Sequence, residues 1–221
     1  MIKKSSLAVL LLGTLLSFPV LSWGQAQDLK TIKLNEPNKM RGLPVMEALS
    51  VRASVREWLD KELSLQDLSD LLWAANGINR PDNKKRTASS AQNAQDVDIY
   101  VFKKDGVYLY DAANHALVPV VAGDQRSQIG MAPRGGPPSS APVQLVLVSD
   151  ASRFGGGTPE LKYEWGAIDT GIVSQNIALF CAATGLGTRP RGSIAKDKLK
   201  SLLKLKDTQN PFLEHPVGYI K

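Results

Sequence analysis

The sequence predicts a mixed fold of helices and strands in a single domain, on three observations. Val97 to Phe102 and Val107 to Tyr110 are strand-like runs around a Lys104-Asp105-Gly106 turn, which is a hairpin pattern. Ser64-Leu65-Gln66-Asp67 reads as a capping box. It opens a helix with Leu65, Leu68, Leu71, Leu72 and Ala75 on one face, closing near Gly77. Tyr163 to Thr184 reads as a longer helix that Gly185 stops. Ile168, Ile172, Ile177, Leu179 and Phe180 are spread around it, and a helix apolar on most sides is buried centrally or against a second subunit.

The remaining elements follow in chain order. Leu43 to Leu49 forms a short helix leading to Arg52. Asn79 to Ser90 is a breaker-rich loop around Pro81-Asp82-Asn83. Gly130 to Pro142 holds four prolines and three glycines and reads as a long loop. Val143 to Val148 is a buried strand, and Arg153 to Thr158 a glycine-rich loop. Leu186 to Gly192 is a second loop. Ile194 to Leu205 is a helix with Leu199, Leu202 and Leu203 opposite its lysines. His215 to Tyr219 is a closing strand.

The first residues set an address. Lys3 and Lys4 precede an apolar run from Leu7 to Val20, with small residues at Ser22, Gly24 and Ala26. Residues 1–26 are the expected secretory signal peptide, 27–42 a polar N-terminal arm, and 43–221 the folded domain. The expectation is an exported protein, in the bacterial periplasm, with no membrane span in the mature chain. Cys181 is the only cysteine, so no intrachain disulfide is available and the common cysteine-based metal sites are excluded. His115 and His215 carry no ligand spacing, and no metal is expected. The net charge of +6 is spread along the chain and aromatics are few, which argues against nucleic acid. A basic balance suits an anionic small molecule.

Two polar motifs carry the chemistry. Arg52-Ala53-Ser54-Val55-Arg56 sets two guanidiniums and a hydroxyl at alternate positions, and a guanidinium fork suits phosphate oxygens. Its spacing favours a bend or the start of a helix, where the side chains can converge. Ser89-Ser90-Ala91-Gln92-Asn93-Ala94-Gln95 is a run of hydrogen-bonding side chains. Each has a bland reading: a solvated basic face beside Glu57 and Asp60 for the first, a turn or helix cap for the second.

Taken in order, these motifs resemble the nitroreductase family of FMN-dependent oxidoreductases. The order is Arg-x-Ser-x-Arg, a capped leucine-rich helix, Ser-Ala-x-Asn-x-Gln, a hairpin, an alanine-rich helix ending Gly185-Leu186-Gly187-Thr188, and Pro216-Val217-Gly218-Tyr219. Gly77 to Asp82 with Lys85-Arg86-Thr87 is similar to the branch holding the thiazole- and oxazole-forming peptide dehydrogenases. The resemblance implies a three-layer α-β-α, α+β fold whose mostly antiparallel sheet is flanked by helices. It implies a homodimer with FMN at the subunit interface. It places Arg52, Ser54 and Arg56 on the FMN phosphate, ribityl chain and ring edge. Ser89, Ser90 and Asn93, closed by Gln95, reach the flavin held mainly by the other subunit. Pro190, Arg191 and Gly192 lie against the ring, and Lys221 falls near the phosphate. Ser89 stands where the family usually has proline, and Arg191 where it has an acidic or amide residue.

The resemblance further implies ping-pong hydride transfer to a small electron-poor acceptor such as a nitro compound or quinone. NAD(P)H is a candidate donor, against which the export address counts, because that pool is cytoplasmic. A peptide azoline dehydrogenase and a non-catalytic flavin-binding module are the competing readings. No side chain is singled out as catalytic, because the flavin carries the chemistry.

Overall fold

The computed structural model describes residues 29–130 and 139–221. The signal-peptide reading and residues 131–138 of the proline-rich loop lie outside the described residues. Among the described residues, seven strands form one antiparallel sheet in the order β1-β6-β5-β4-β7-β9-β8. They are β1 (Ile32–Lys33), β4 (Val97–Phe102), β5 (Gly106–Asp111), β6 (Ala116–Ala122), β7 (Val143–Asp150), β8 (Leu186–Thr188) and β9 (Gln209–Tyr219). A separate two-stranded ribbon pairs β2 (Ile78–Arg80) with β3 (Lys85–Arg86).

The sheet is covered on both faces because its central strands are apolar in both phases of the pleat. Ile99, Val101, Leu145 and Leu147 point to one face. Tyr100, Phe102, Val146 and Val148 point to the other. The side-chain period of two makes that division automatic. On the first face lie α2 (Leu65–Asn76), through Leu68, Leu71, Leu72 and Ala75, and α3 (Pro159–Thr184), through Val173, Ile177 and Cys181. On the second lies α4 (Lys196–Leu203), through Leu199 and Leu203. This is the expected α+β arrangement of three layers. The short α1 (Val45–Val51) packs beside α3.

Helix ends follow their local chemistry. Ser64 accepts from the Asp67 amide at 3.0 Å, as a cap should. The return half of the box is replaced, since the Ser64 amide donates to the Tyr219 hydroxyl. Thr158 caps α3, and Gly185, at φ 75°, ends it in the left-handed region that glycine enters without strain.

Several boundaries differ from expectation. The breaker-rich stretch Asn79 to Ser90 contains the β2–β3 ribbon, because Lys84 at φ 54° turns the chain back. β6 was not anticipated, and Pro119 inside it breaks the alternating pattern. Leu186 to Thr188 is strand, not loop: it pairs with Val217 to Tyr219. The closing strand begins at Gln209, six positions before its expected start, and α4 is shorter at both ends than expected. The N-terminal arm supplies the edge strand β1, paired with Ala116 and Leu117. α3 is not apolar all round where it packs. Gly166, Asp169, Thr170, Val173, Ser174, Ile177, Ala178 and Cys181 form its buried face, while Ile168 is exposed.

Candidate functional site

The arginine motif follows a helix rather than starting one. α1 is closed by Arg52, whose amide still bonds the Ala48 carbonyl, and the chain leaves the helix there. Residue Val55 donates its amide to the Thr188 carbonyl at 2.9 Å. Its side chain packs so closely on Gly187 that a Cβ there would stand 2.8 Å from Val55 Cγ1. Arg52, Ser54 and Arg56 are exposed, whereas Val55 is half-buried.

Two further segments meet the motif at one corner of the sheet. Trp58 is buried, donates its indole N–H to the Gly187 carbonyl at 2.8 Å, and bridges Ile220. The C-terminus therefore runs beside residues 57–59, and Lys221 Nζ lies 4.0 Å from Glu57 Oε2 with its side chain largely exposed. After β8 the chain passes through Arg189, Pro190, Arg191 and Gly192. Arg191 exchanges both backbone hydrogen bonds with Glu214 at 2.8 Å, which fixes this loop to β9. Pro190 and Gly192 are exposed, and a Cβ on Gly192 would meet nothing nearer than 4.0 Å. Gly192 borders a cavity of about 510 Å³ with Gly130 and the start of α4.

The Arg191 side chain turns inward. Its Nε lies 3.2 Å from Glu214 Oε2, and both side chains are buried. What Arg191 offers on the outside is backbone. Burial raises the Glu214 carboxyl above its usual range, and Arg191 and Arg189 oppose that rise.

Arg189 was not singled out from the sequence. Its Nε is buried with no hydrogen-bond partner. Burial lowers its pKa first, and the neighbouring Arg191 and Arg56 guanidiniums lower it further. Arg191 and Arg189 thus face one buried carboxylate and Arg56 neighbours Arg189, a surplus of positive charge that an anionic ligand would relieve. The alternation of Arg189 and Arg191 around Pro190 repeats the logic of Arg52 and Arg56, and was the available signal.

The second polar run lies elsewhere. Residues Ala91–Asn93 make a 3-10 turn in which Gln92 and Asn93 have φ of 56° and 54°. Ser90 Oγ accepts from the Gln95 amide at 2.9 Å. Gln95 spends its side chain on Arg86 Nε and the Lys84 carbonyl, tying the turn to the β2–β3 ribbon. Ser90 and Gln95 are therefore struts, whereas Ser89 and Asn93 are exposed. The turn hangs from Asp169 in the first half of α3, while the arginine corner lies beside Ala182 and Gly185 at its end. Thirteen residues of helix separate Asp169 from Ala182, about 20 Å at the helical rise. One chain does not bring the two motifs together.

Cys181 is fully buried, and burial pushes its thiol pKa up, so it is an inert core residue. Among the described residues no group of three or more histidine, cysteine or acidic side chains is placed to hold a metal, and no helix is long and apolar enough to cross a membrane.

Comparison with known proteins converges on one family. The family model described as "Nitroreductase family" matches residues 49–219. A protein of Methanocaldococcus jannaschii carrying a provisional nitroreductase name is 27% identical over 201 residues, 88% of this chain and 94% of that protein. A crystal structure from Ralstonia eutropha JMP134, provisionally named a nitroreductase, superposes with a TM-score of 0.80 at 35% identity, covering 86% of this chain and 90% of that one. The Escherichia coli microcin synthetase McbBCD complex shares the fold at 16% identity, with a TM-score of 0.63 over 95% of this chain and 85% of that one. With the match to residues 49–219 and the three-layer antiparallel fold, the chain belongs to the nitroreductase family of flavin-dependent oxidoreductases.

Proposed function

We propose that this chain is an FMN-dependent oxidoreductase that works as a homodimer in the bacterial periplasm and reduces small electron-poor acceptors such as nitro compounds and quinones. The observation that carries the reading is the separation of its two polar motifs along α3. Each is incomplete in one chain, and a second copy related by a two-fold axis can bring one against the other. Val45, Met46, Leu49 and Val51 on α1 and Ile168 on α3 are apolar and exposed in the single chain, which supports a covering partner of the same sequence.

The residues fit the cofactor. Arg52, Ser54, Arg56 and Arg189 gather charge and donors for a phosphorylated ligand, with Lys221 beside them, and the buried Arg189 Nε is a donor still to be used. Pro190, Arg191 and Gly192 present backbone to the ring, on a loop that the Arg191–Glu214 pair holds still. The partner's Ser89 and Asn93 close the site from across the seam. Bound there, FMN would supply the redox chemistry, hydride transfer between a donor and an acceptor. NAD(P)H is one donor to test, and the export address favours another.

The test uses purified mature protein. A yellow preparation that sediments as a dimer and bleaches with a reductant in the absence of acceptor supports the reading. Arg52→Ala with Arg56→Ala should weaken FMN binding by more than tenfold while the fold stays intact by circular dichroism. A monomer that takes up no FMN on reconstitution overturns it. Flavin reduced by an azoline peptide and not by small-molecule donors would move the assignment to a peptide dehydrogenase.

A further inference from the structure

Two carboxyls meet beneath the second polar run. Asp96, just before β4, is 0% exposed, and Asp169 on α3 is 2% exposed. Both oxygens of Asp169 accept from the Ala91 amide, at 3.1 and 2.8 Å. Asp96 Oδ2 accepts from the Ser149 hydroxyl on β7. Asp96 Oδ1 is buried with no donor on it. The Ser149 hydroxyl that donates to Asp96 lies against Gly166, one turn of α3 before Asp169, so both carboxyls sit in the same buried place between β7 and α3, where Asp169 acts on Asp96 as a hydrogen-bonding neighbour. Ionised carboxylates only accept, so two of them cannot bond to each other, and one proton between them supplies the missing donor.

The charged groups on the neighbouring elements are engaged elsewhere. Arg153 donates to the Gln95 carbonyl at 2.9 Å and to Asp98 at 2.6 Å. Arg86 donates to the Asn76 carbonyl and the Gln95 amide oxygen. Asp150 accepts from Ser152. Thr170, beside Asp169 on α3, donates to its own helix at the Gly166 carbonyl. Two like charges in a desolvated place without a cation do not both ionise.

We propose that Asp96 and Asp169 share one proton, and that this pair positions the Ser89 to Gln95 turn for the flavin. The inference rests on the reading of that turn as part of the flavin site. Asp169 is the anchor of the turn, through the Ala91 amide, and the proton keeps Asp169 from being driven off by Asp96. Burial lifts Asp96 to about 7, in keeping with a proton retained up to neutrality. Above that pH the two charges repel, the Ala91 anchor loosens, and Ser89 and Asn93 lose their placement.

Asp96→Asn replaces the shared proton by a permanent amide donor. The experiment titrates FMN by quenching of its fluorescence from pH 5.5 to 8.5, for the natural chain and Asp96→Asn. Ala91 amide exchange, corrected for its intrinsic rate, is followed by NMR over the same range. The FMN phosphate ionises near pH 6 in both titrations, so it cancels in the comparison. The natural chain should lose FMN affinity by up to tenfold per pH unit above neutrality and lose Ala91 protection alongside. Asp96→Asn should do neither. Parallel curves for the two proteins overturn the inference. If neither protein binds FMN but Ala91 protection still falls only in the natural chain, the flavin reading fails and the shared proton stands. Asp169→Asn, whose amide can donate to Asp96, repeats the test from the other side should Asp96→Asn fail to fold.

Discussion

Arg191 and Glu214 carry opposite charges into a place that water barely reaches, and their cost and value differ sharply. Taking both out of water is expensive, and their attraction roughly offsets that. Removing one alone leaves the other charged and desolvated. Glu214→Leu should therefore destabilise the fold by about 3–5 kcal/mol in urea denaturation. Arg191→Met combined with Glu214→Leu should recover most of that loss. If the double variant is as unstable as the single, the pair is held by something other than its own charge balance. The same logic separates Arg191 from Arg189. The first has a buried carboxylate beside its guanidinium. The second has an unpartnered buried Nε and two like charges for neighbours. Arg189→Ala should thus cost little stability and weaken FMN binding, whereas Arg189→Lys, lacking the planar fork, should restore only part of it.

At the level of elements, the approach of α3 to β7 depends on a missing side chain. A Cβ on Gly166 would lie 2.3 Å from Ser149 Oγ and 2.9 Å from its Cβ, so helix or strand must shift to admit it. Gly166→Ala should cost about 1–3 kcal/mol through overpacking, outweighing any gain in helix propensity, as thermal unfolding would show. Ser149 is also the donor to Asp96, so the variant should disturb the Ser89 to Gln95 turn at a distance. Such contacts are invisible in a string of letters, whereas apolar periodicity and caps are not. Ser64, Gly77 and Gly185 mark helix ends because they act on their own backbone within a few residues. β4, β5 and β7 were legible because their apolar runs are continuous or alternate. β1, β8 and the start of β9 were not, since a short strand exists only where a partner supplies its hydrogen bonds. Arg52, Ser54 and Arg56 stand out by spacing, although the Val55–Thr188 hydrogen bond that fixes their segment beside β8 is not readable there. Nothing local in the sequence reveals that the Gln95 side-chain amide is taken up by Arg86 and the Lys84 carbonyl, or that Ser90 Oγ accepts from the Gln95 backbone amide.

Across the whole molecule, two buried groups set opposing responses to pH. His215 lies between Ser174 and Thr188, bonded at 2.7 and 3.1 Å. Burial pushes its pKa down to about 3, whereas an unfolded histidine titrates near 6.5. As pH falls below about 6.5, only the unfolded chain takes up that proton, and stability drops by up to about 1.4 kcal/mol per unit. The Asp96–Asp169 pair acts in reverse. Asp96 is lifted to about 7 by burial. An unfolded aspartate titrates near 3.9, so the stability this proton brings is complete below about pH 4 and is lost as pH rises through neutrality. Between about pH 4 and 6.5 the two slopes oppose each other, and the natural chain should show less acid sensitivity than His215 alone would impose. Asp96→Asn removes one slope and leaves the other. Its stability relative to the natural chain should therefore decline as pH falls, by up to about 1.4 kcal/mol per unit, in urea titrations at pH 4.5, 5.5 and 6.5. Titrating groups outside the Asp96–Asp169 pair are common to both proteins and cancel in that difference. A constant difference across the three pH values would mean that no proton is held at Asp96 in the folded chain, and the natural protein's acid response would then have to follow His215 unopposed.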